Sequence, residues 1–119
     1  MPYTIGEVAR MMNIAPSTLR YYEKEGLLSL GVRASNGQRT YTDDDIATLS
    51  IIEYLKFCGL PLKEIRSFLP LIRPGGETLS ARRDILAKER DNVRAQIAAL
   101  QTKLERLEFG CWYYETAKQ

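Results

Sequence analysis

The residues between Pro16 and Gly26 combine side chains that could bind a polyanion with signals that delimit a short helix. Pro16 suits a first helical turn, because its missing N–H has no intrahelical partner there, and Gly26 suits the left-handed residue after a helix. Arg20, Tyr21 and Lys24 lie on or near one side of that helix. A cation beside phenols can contact phosphates and base edges. On these residues alone, an ordinary surface helix with solvated charges is the alternative.

Composition limits the other chemistry that the chain could perform. Its 119 residues suffice for about one domain, and they include two cysteines and no histidine. A zinc finger and histidine-based catalysis are therefore excluded, and we expect no metal, no cofactor and no enzymatic activity. No apolar run is long enough for a membrane-spanning helix or a signal peptide, so we expect a cytoplasmic protein without a membrane partner.

The distribution of charge is more informative than the formal net charge of +2, which is too small to indicate a polyanionic partner by itself. Residues 1–41 carry five arginines and lysines against three glutamates, so the front third is mildly basic. The last third is densely charged with both signs, as the solvated faces of helices are.

A second helix is predicted just before the helix that begins at Pro16. Thr4 and Glu7 have the spacing of a capping box, in which each side chain accepts a hydrogen bond from the other residue's N–H. The apolar stripe that follows ends near Asn13, a residue that tolerates the left-handed conformation of a sharp turn. Two short helices joined by such a turn indicate a helix-turn-helix.

The dipeptide Asn36-Gly37 is the strongest short hairpin signal in the chain. The residues on either side alternate loosely, as in two short strands, and we expect a hairpin over residues 32–41 that packs on the preceding helices. Arg33 and Arg39 would lie on its arms near the tip, as in a wing. A plain connecting hairpin with solvated arginines is the alternative.

Two further helices are predicted after the hairpin. The first begins after Thr42, ends at Gly59 and is expected to bury one apolar side, made of Ile46, Leu49, Ile52, Leu55 and Phe57. The second follows Pro61 and stops at Pro70. Together they indicate a second helix-turn-helix-like pair.

The sequence from Thr78 to about Phe109 predicts one helix of some 30 residues, roughly 45 Å long. An apolar seam with heptad spacing runs along it: Leu79, Leu86, Val93, Ile97, Leu100, Leu104 and Leu107. Arg83 and Arg90 occupy the companion position in the first half, so the seam is apolar mainly near its end. We expect the same helix of a second copy to cover this seam, and packing on its own domain is the alternative. Gly110 is expected to break the helix before an aromatic tail.

These features in order resemble the MerR family of regulators over the first 70 residues. The resemblance is carried by residues 17–23 with 26–28, by the stretch 33–41, and by residues 59–65. It implies a mainly α fold, with a winged helix-turn-helix head and a small β-hairpin wing. A long C-terminal dimerisation helix would form an antiparallel coiled coil. The domains would be 1–73, which binds DNA, 74–109, which contains the linker and dimerisation helix, and the aromatic tail 110–119.

The resemblance also implies a function. Members bind a pseudo-palindromic promoter as homodimers, and they bend and untwist the double-stranded DNA spacer so that RNA polymerase can engage it when an effector or stress arrives. Carried over position by position, the DNA-binding residues would be Ser17, Thr18, Arg20, Tyr21, Tyr22, Arg33, Asn36, Gly37, Arg39 and Tyr41. The first three would face the major groove, the two adjacent tyrosines would reach phosphates or brace the helix, and the rest would hold the backbone. Gln38 and Ala15 depart from the family pattern.

The residues that could sense an effector are considered next. With Cys111 as the only thiol beyond the long helix and no histidine, a metal site would lack soft ligands. The start of the long helix resembles the branch that answers aldehydes and other electrophiles through a cysteine. Cys58 lies in the relevant region, although that branch's cysteine falls near Tyr54. A small buried hydrophobe is the alternative interpretation of Cys58.

Two other sites could sense an effector. Cys111 could be a reactive thiol, and Trp112 with Tyr113 and Tyr114 could form an aromatic pocket for a small organic effector. The rival class is a coiled-coil interaction adaptor that does not bind DNA. An adaptor would not explain why arginines converge from both a helix and a wing.

Overall fold

The computed structural model describes residues 2–28, 35–72 and 77–117, and the chain forms two compact units, Met1–Leu79 and Ser80–Gln119. We call the first unit the head. The elements are β1 Tyr3–Thr4, α1 Ile5–Met12, α2 Pro16–Lys24, β2 Thr40–Tyr41, α3 Asp43–Phe57, α4 Leu62–Phe68 and α5 Leu79–Ala117, with a 3-10 turn at Leu69–Leu71. The protein is mainly helical, as predicted.

The predicted helix-turn-helix of α1 and α2 is confirmed. The Thr4 N–H donates to Glu7 at 2.9 Å and the Glu7 N–H donates back to Thr4 Oγ1 at 3.1 Å, so the capping box is complete. Asn13 has φ 54° at the end of α1, and Gly26 has φ 78° after α2. These left-handed residues end the two helices where the sequence indicated.

The small sheet has a partner strand that the sequence did not reveal. β1 pairs antiparallel with β2, with Tyr3 opposite Tyr41 and Thr4 opposite Thr40. The turn of the expected hairpin is present, because Gly37 has φ 84° and the Gln38 N–H donates to Asn36 Oδ1 at 3.0 Å. The first arm of that hairpin, with Arg33, lies outside the described residues.

Helix α3 begins with a second capping box, between Thr42 and Asp45. Its predicted buried side is correct for Leu49, Ile52 and Leu55, and Ile46 is half-buried. The prediction is wrong for Phe57, which is 92% exposed. Two positions beyond a buried residue, a helix has turned by roughly 200°, so Phe57 points to solvent while Leu55 points to the core.

The core of the head combines residues from α1, α2, α3 and α4 with residues from the segments that join them. Its largest fully buried side chains are Tyr41, Leu19, Leu49, Ile52, Leu55 and Val8. One side of α2 is thus held against the core, and the opposite side is left at the surface.

Helix α5 is longer than the sequence indicated. It has 39 residues, roughly 58 Å at 1.5 Å per residue, so the expected break at Gly110 and the separate tail are wrong. A glycine inside a helix costs only about 1 kcal/mol, and without a left-handed conformation it does not end one. The aromatic residues after Gly110 therefore lie on the helix, where Trp112 packs on Phe109 with ring centroids 5.8 Å apart.

Candidate nucleic-acid interface

Helix α2 presents a cationic and hydroxyl-bearing side to solvent. Ser17 and Arg20 are exposed, Tyr21 is 48% exposed and Thr18 is half-buried. Lys24 is also exposed, one helical turn after Arg20. This side can meet a phosphate or a base edge without displacing the core.

A hollow of about 560 Å³ lies between α2 and the turn formed by residues 35–38, which we call the wing turn. Arg20 and Lys24 line it from the helix, and Gly37 and Gln38 line it from the wing turn. Asn36, Gly37 and Gln38 are all exposed. Of the predicted DNA-binding residues on α2 and in the turn, Arg20 and Gly37 thus border one concave surface, whereas Ser17, Thr18, Tyr21 and Tyr22 line a different cavity.

Arg39 does not lie on the surface as the sequence indicated. The residue is 8% exposed, and its Nε lies 3.0 Å from Glu23 Oε2. Its guanidinium also lies 3.8 Å from Asp45 Oδ2 and 4.0 Å from the centre of the Tyr41 ring. The expectation of an exposed wing arginine is wrong, because the charge is held by carboxylates of the head and covered by an aromatic ring.

Tyr41 is likewise fully buried rather than facing a ligand. Its hydroxyl donates a 2.6 Å hydrogen bond to Glu23 Oε1. Burial, and secondarily this bond, raise the pKa of Tyr41 far above its ordinary value. The phenol is thus a neutral hydrogen-bond donor inside the head, and the expectation that it lies on the surface is wrong.

Glu23 is the residue that sequence reasoning missed. It accepts hydrogen bonds from both Arg39 and Tyr41, and it joins α2 to the segment that leaves the wing turn. A signal was available, because Glu23 follows buried Leu19 by four residues and so lies on the core side of α2. A carboxylate in that position requires charged or hydrogen-bonding partners.

Tyr22 braces α2 instead of projecting from it. It is 3% exposed, and its hydroxyl donates to Glu53 Oε2 at 2.7 Å and accepts from Lys56 Nζ at 3.1 Å. Burial and the bond to Glu53 raise the pKa of Tyr22, while the bond to Lys56 opposes that shift. Lys56 also joins Ser17 around a second cavity of about 490 Å³ between α2, α3 and α4, so it is an additional cation near the α2 surface.

The end of α2 is held by α4. Arg66 donates to the main-chain carbonyl of Glu25 from Nε at 3.2 Å and from Nη2 at 2.9 Å, and Nη2 also lies 3.2 Å from the Glu25 carboxylate. A cation at a helix C-terminus satisfies a carbonyl that has no intrahelical donor and favours the helix dipole. The orientation of α2 is thus fixed by contacts of Tyr22 with α3, of Glu23 with the segment after the wing turn, and of Glu25 with α4.

The heptad seam of α5 is uncovered within its unit. Leu86 is half-buried, and the other seam residues are exposed: Leu79, Val93, Ile97, Leu100, Leu104 and Leu107. The stripe is continuous from Val93 to Leu107, whereas the exposed Arg83 and Arg90 interrupt its first half. An exposed apolar stripe of this kind is typical of a surface that binds another protein chain.

The candidate sensor residues belong to both units. Cys58 is half-buried in the head, whereas Cys111, Trp112 and Tyr114 are exposed on α5. Within residues 2–28, 35–72 and 77–117, no cluster of three His, Cys, Asp or Glu side chains could hold a metal ion. No helix in the same part of the chain is long and apolar enough to cross a membrane.

The sequence matches two family models. The MerR HTH family regulatory protein model covers residues 3–71, and the model described as MerR, DNA binding covers residues 46–108. An HTH-type transcriptional regulator of Haemophilus influenzae is 37% identical over 118 residues, which is 99% of this chain and 87% of that protein. The regulator ZntR of Escherichia coli K12 is 36% identical over 113 residues, 92% of this chain and 80% of that protein.

The fold has a solved counterpart as well. The crystal structure of HiNmlR, described as a MerR family regulator lacking the sensor domain and bound to promoter DNA, shows 37% identity and a TM-score of 0.67. The similarity covers 99% of this chain and 94% of that one. The family and these relatives are transcriptional regulators rather than enzymes. The chain belongs to the MerR family of helix-turn-helix transcriptional regulators.

Proposed function

We propose that the protein binds a pseudo-palindromic promoter as a homodimer and regulates transcription from it. The observation that carries this proposal is the hollow shared by α2 and the wing turn, with Arg20 and Lys24 on the helix wall. A helix with an exposed cation reads base edges in the major groove, while a turn beside it contacts the adjacent backbone. The relative crystallised on promoter DNA supports the same use of this fold.

The residues take different roles within this interface. Arg20 reads a base, with Ser17 and Thr18 beside it at the exposed start of α2. Tyr21, Lys24, Asn36 and Gly37 contact phosphates. Arg33 keeps its predicted backbone contact, whereas Arg39, Tyr41 and Tyr22 act from within the head by holding the two contact elements in place. We retain residues 1–73 as the DNA-binding domain.

The homodimer is proposed from the seam of α5. A helix of 39 residues cannot bury an apolar stripe by itself, and a second copy offers an identical stripe. We propose an antiparallel coiled coil, the arrangement that the family resemblance implies. Two heads held at a fixed separation then address two half-sites of one promoter.

The action on RNA polymerase is proposed to be indirect, in the cytoplasm where the promoter lies. Binding of two linked heads bends and untwists the spacer, which alters how the polymerase meets its recognition elements. A small organic or electrophilic effector is proposed to act on the thiols Cys58 and Cys111 or on the aromatic residues Trp112 and Tyr114.

Binding to a labelled duplex from the chain's own upstream region, against a shuffled duplex of the same composition, tests this proposal. The affinity should be higher for the upstream duplex, and the logarithm of the binding constant should fall linearly with the logarithm of salt concentration, with a slope of about −0.9 per neutralised phosphate. Absent or salt-independent binding to both duplexes would instead support the adaptor function.

A further inference from the structure

Glu23 connects the two elements that border the hollow. Its Oε2 lies 3.0 Å from Arg39 Nε and its Oε1 accepts a 2.6 Å hydrogen bond from the Tyr41 hydroxyl, so both oxygens of one carboxylate are used. The Arg39 and Glu23 side chains are 7% and 14% exposed. Charge-assisted hydrogen bonds in such a poorly solvated place are stronger and more directional than exposed ones.

These contacts lie next to the groups that face the hollow. Glu23 is three residues after Arg20 on α2, and Arg39 directly follows the wing turn. Tyr41 belongs to β2, which pairs with β1 at Tyr3, so the chain that leaves the wing turn has a fixed course. The distance between the exposed cation of α2 and the wing turn therefore depends on the Glu23 carboxylate.

We propose that Glu23 is a positioning residue that makes α2 and the wing turn bind DNA as one rigid surface. The proposal rests on the proposed DNA binding and adds a residue that does not touch the DNA. Without the carboxylate, α2 is still held by Tyr22 through Glu53 and by Glu25 through Arg66, so base reading by α2 persists. The wing turn loses its tie to α2, and its phosphate contacts weaken.

The variant Glu23→Gln tests this directly in the full-length chain. The amide keeps the size and can still accept from Tyr41, but it removes the nearer of the two carboxylate charges beside Arg39 and leaves that of Asp45. Glu25→Gln is the matched control, because it makes the same chemical change two residues later, where the ion pair with Arg66 has side chains 31% and 47% exposed. The substitution also keeps the main-chain carbonyl of Glu25 to which Arg66 donates. Both are compared with the unaltered chain on the upstream duplex and on duplexes with one substituted base pair.

We expect Glu23→Gln to bind about tenfold more weakly to matched and substituted duplexes alike, with a salt slope smaller by about one phosphate contact. The ratio of the two affinities should stay within about twofold of the original, because α2 still reads the bases. Glu25→Gln should keep the original affinity and slope. Mere loss of folded protein lowers the active fraction and leaves the salt slope unchanged, so the slope separates positioning from general stability.

Tyr41→Phe is a second variant that tests the same proposal if Glu23→Gln unfolds below the assay temperature. It removes one donor to Glu23 and keeps the ion pair with Arg39, so we expect a change of about threefold in the same direction. An unchanged slope in every folded variant, or a loss of base preference equal to the loss of affinity, overturns the role of Glu23. If the unaltered chain shows no salt-dependent, sequence-preferring binding, the proposed DNA binding itself has failed.

Discussion

Tyr22 and Glu53 are joined by a 2.7 Å hydrogen bond that connects α2 to α3. The same hydroxyl accepts from Lys56, which follows Glu53 by three residues on α3. One phenol that is 3% exposed thus bridges an acid and a base from one helix and holds the C-terminal half of α2. This relationship indicates that Tyr22 supports the proposed DNA-binding surface from within the head.

Tyr22→Phe should lower the free energy of unfolding by about 1 to 2 kcal/mol, because the hydroxyl's two partners lose a part-buried hydrogen bond. Urea denaturation followed by circular dichroism measures this. Tyr21→Phe is the control, since that ring is half exposed, and it should change stability by less than about 0.5 kcal/mol. Equal effects of the two substitutions would contradict the bracing role.

The stability of the head should fall at high pH through Tyr41. Its pKa in the folded state is raised above the ordinary value of 10.0, so folding favours the neutral phenol. The stability that results is fully present below pH 10 and is lost as the pH rises toward the folded-state pKa. The free energy of unfolding should therefore fall more steeply above that pH in the unaltered chain than in Tyr41→Phe.

Urea titrations of both proteins at about pH 9 and about pH 11 give this difference. Tyr22 and Lys56 also have raised pKa values, but both are present in each protein, so the comparison isolates Tyr41. Parallel losses of stability in the two proteins would show that the Tyr41 phenol is not held neutral by the fold.

Arg20→Ala should relax sequence preference by about 1 to 3 kcal/mol at one base pair of each half-site. The reason is that Arg20 is the exposed cation at the centre of the α2 surface. Competition binding with a panel of singly substituted duplexes measures it. Arg106→Ala on α5 removes an exposed charge outside the head and should leave the panel unchanged. If both variants show the same set of relative affinities across the panel, Arg20 does not read a base.

Leu100→Asp should dissociate the dimer. Leu100 belongs to the apolar seam of α5 and is 60% exposed in one chain, so a charge there would lie in the desolvated centre of the coiled coil. Thr102→Asp adds the same charge two residues later, off the seam. Sedimentation equilibrium should show at least about a tenfold weaker dimer for the first variant only. A dimer of undiminished strength in Leu100→Asp would place the interface elsewhere.

Cys111→Ser should reduce the transcriptional response to an electrophile more than Cys58→Ser, because Cys111 is exposed on α5 while Cys58 is half-buried. A reporter fused to the target promoter, treated with a thiol-reactive aldehyde, measures the response. A normal response in both single variants and in the double variant would exclude thiol sensing and favour an effector bound without covalent chemistry.

The elements that the sequence predicted correctly depend on neighbours a few residues apart. The capping box of Thr4 and Glu7, the left-handed Asn13 and the helix stop at Gly26 each need only local geometry. The family resemblance predicted the order of the helices and the wing in the head. The exposure of Arg20 agrees with its predicted place on α2.

The errors concern residues whose environment is set by distant parts of the chain. Arg39 and Tyr41 have side chains that suit phosphates, but Glu23, sixteen and eighteen positions earlier, binds them inside the head. Phe57 is apolar yet exposed, because the neighbouring Leu55 already occupies the core side of α3. Gly110 continues a helix that a propensity argument would end, since its cost is small beside the hydrogen bonds on both sides.

The pairing of β1 with β2 also determines the order in which the head can form. Its helices need contacts only a few residues apart, but Tyr3 meets Tyr41 only after the whole chain between them has been brought into a closed loop. During synthesis the first residues of the protein therefore wait for residue 41 to leave the ribosome before the sheet can close. We expect the sheet to form only then, and the helices α3 and α4, which follow residue 41, to complete the head after it.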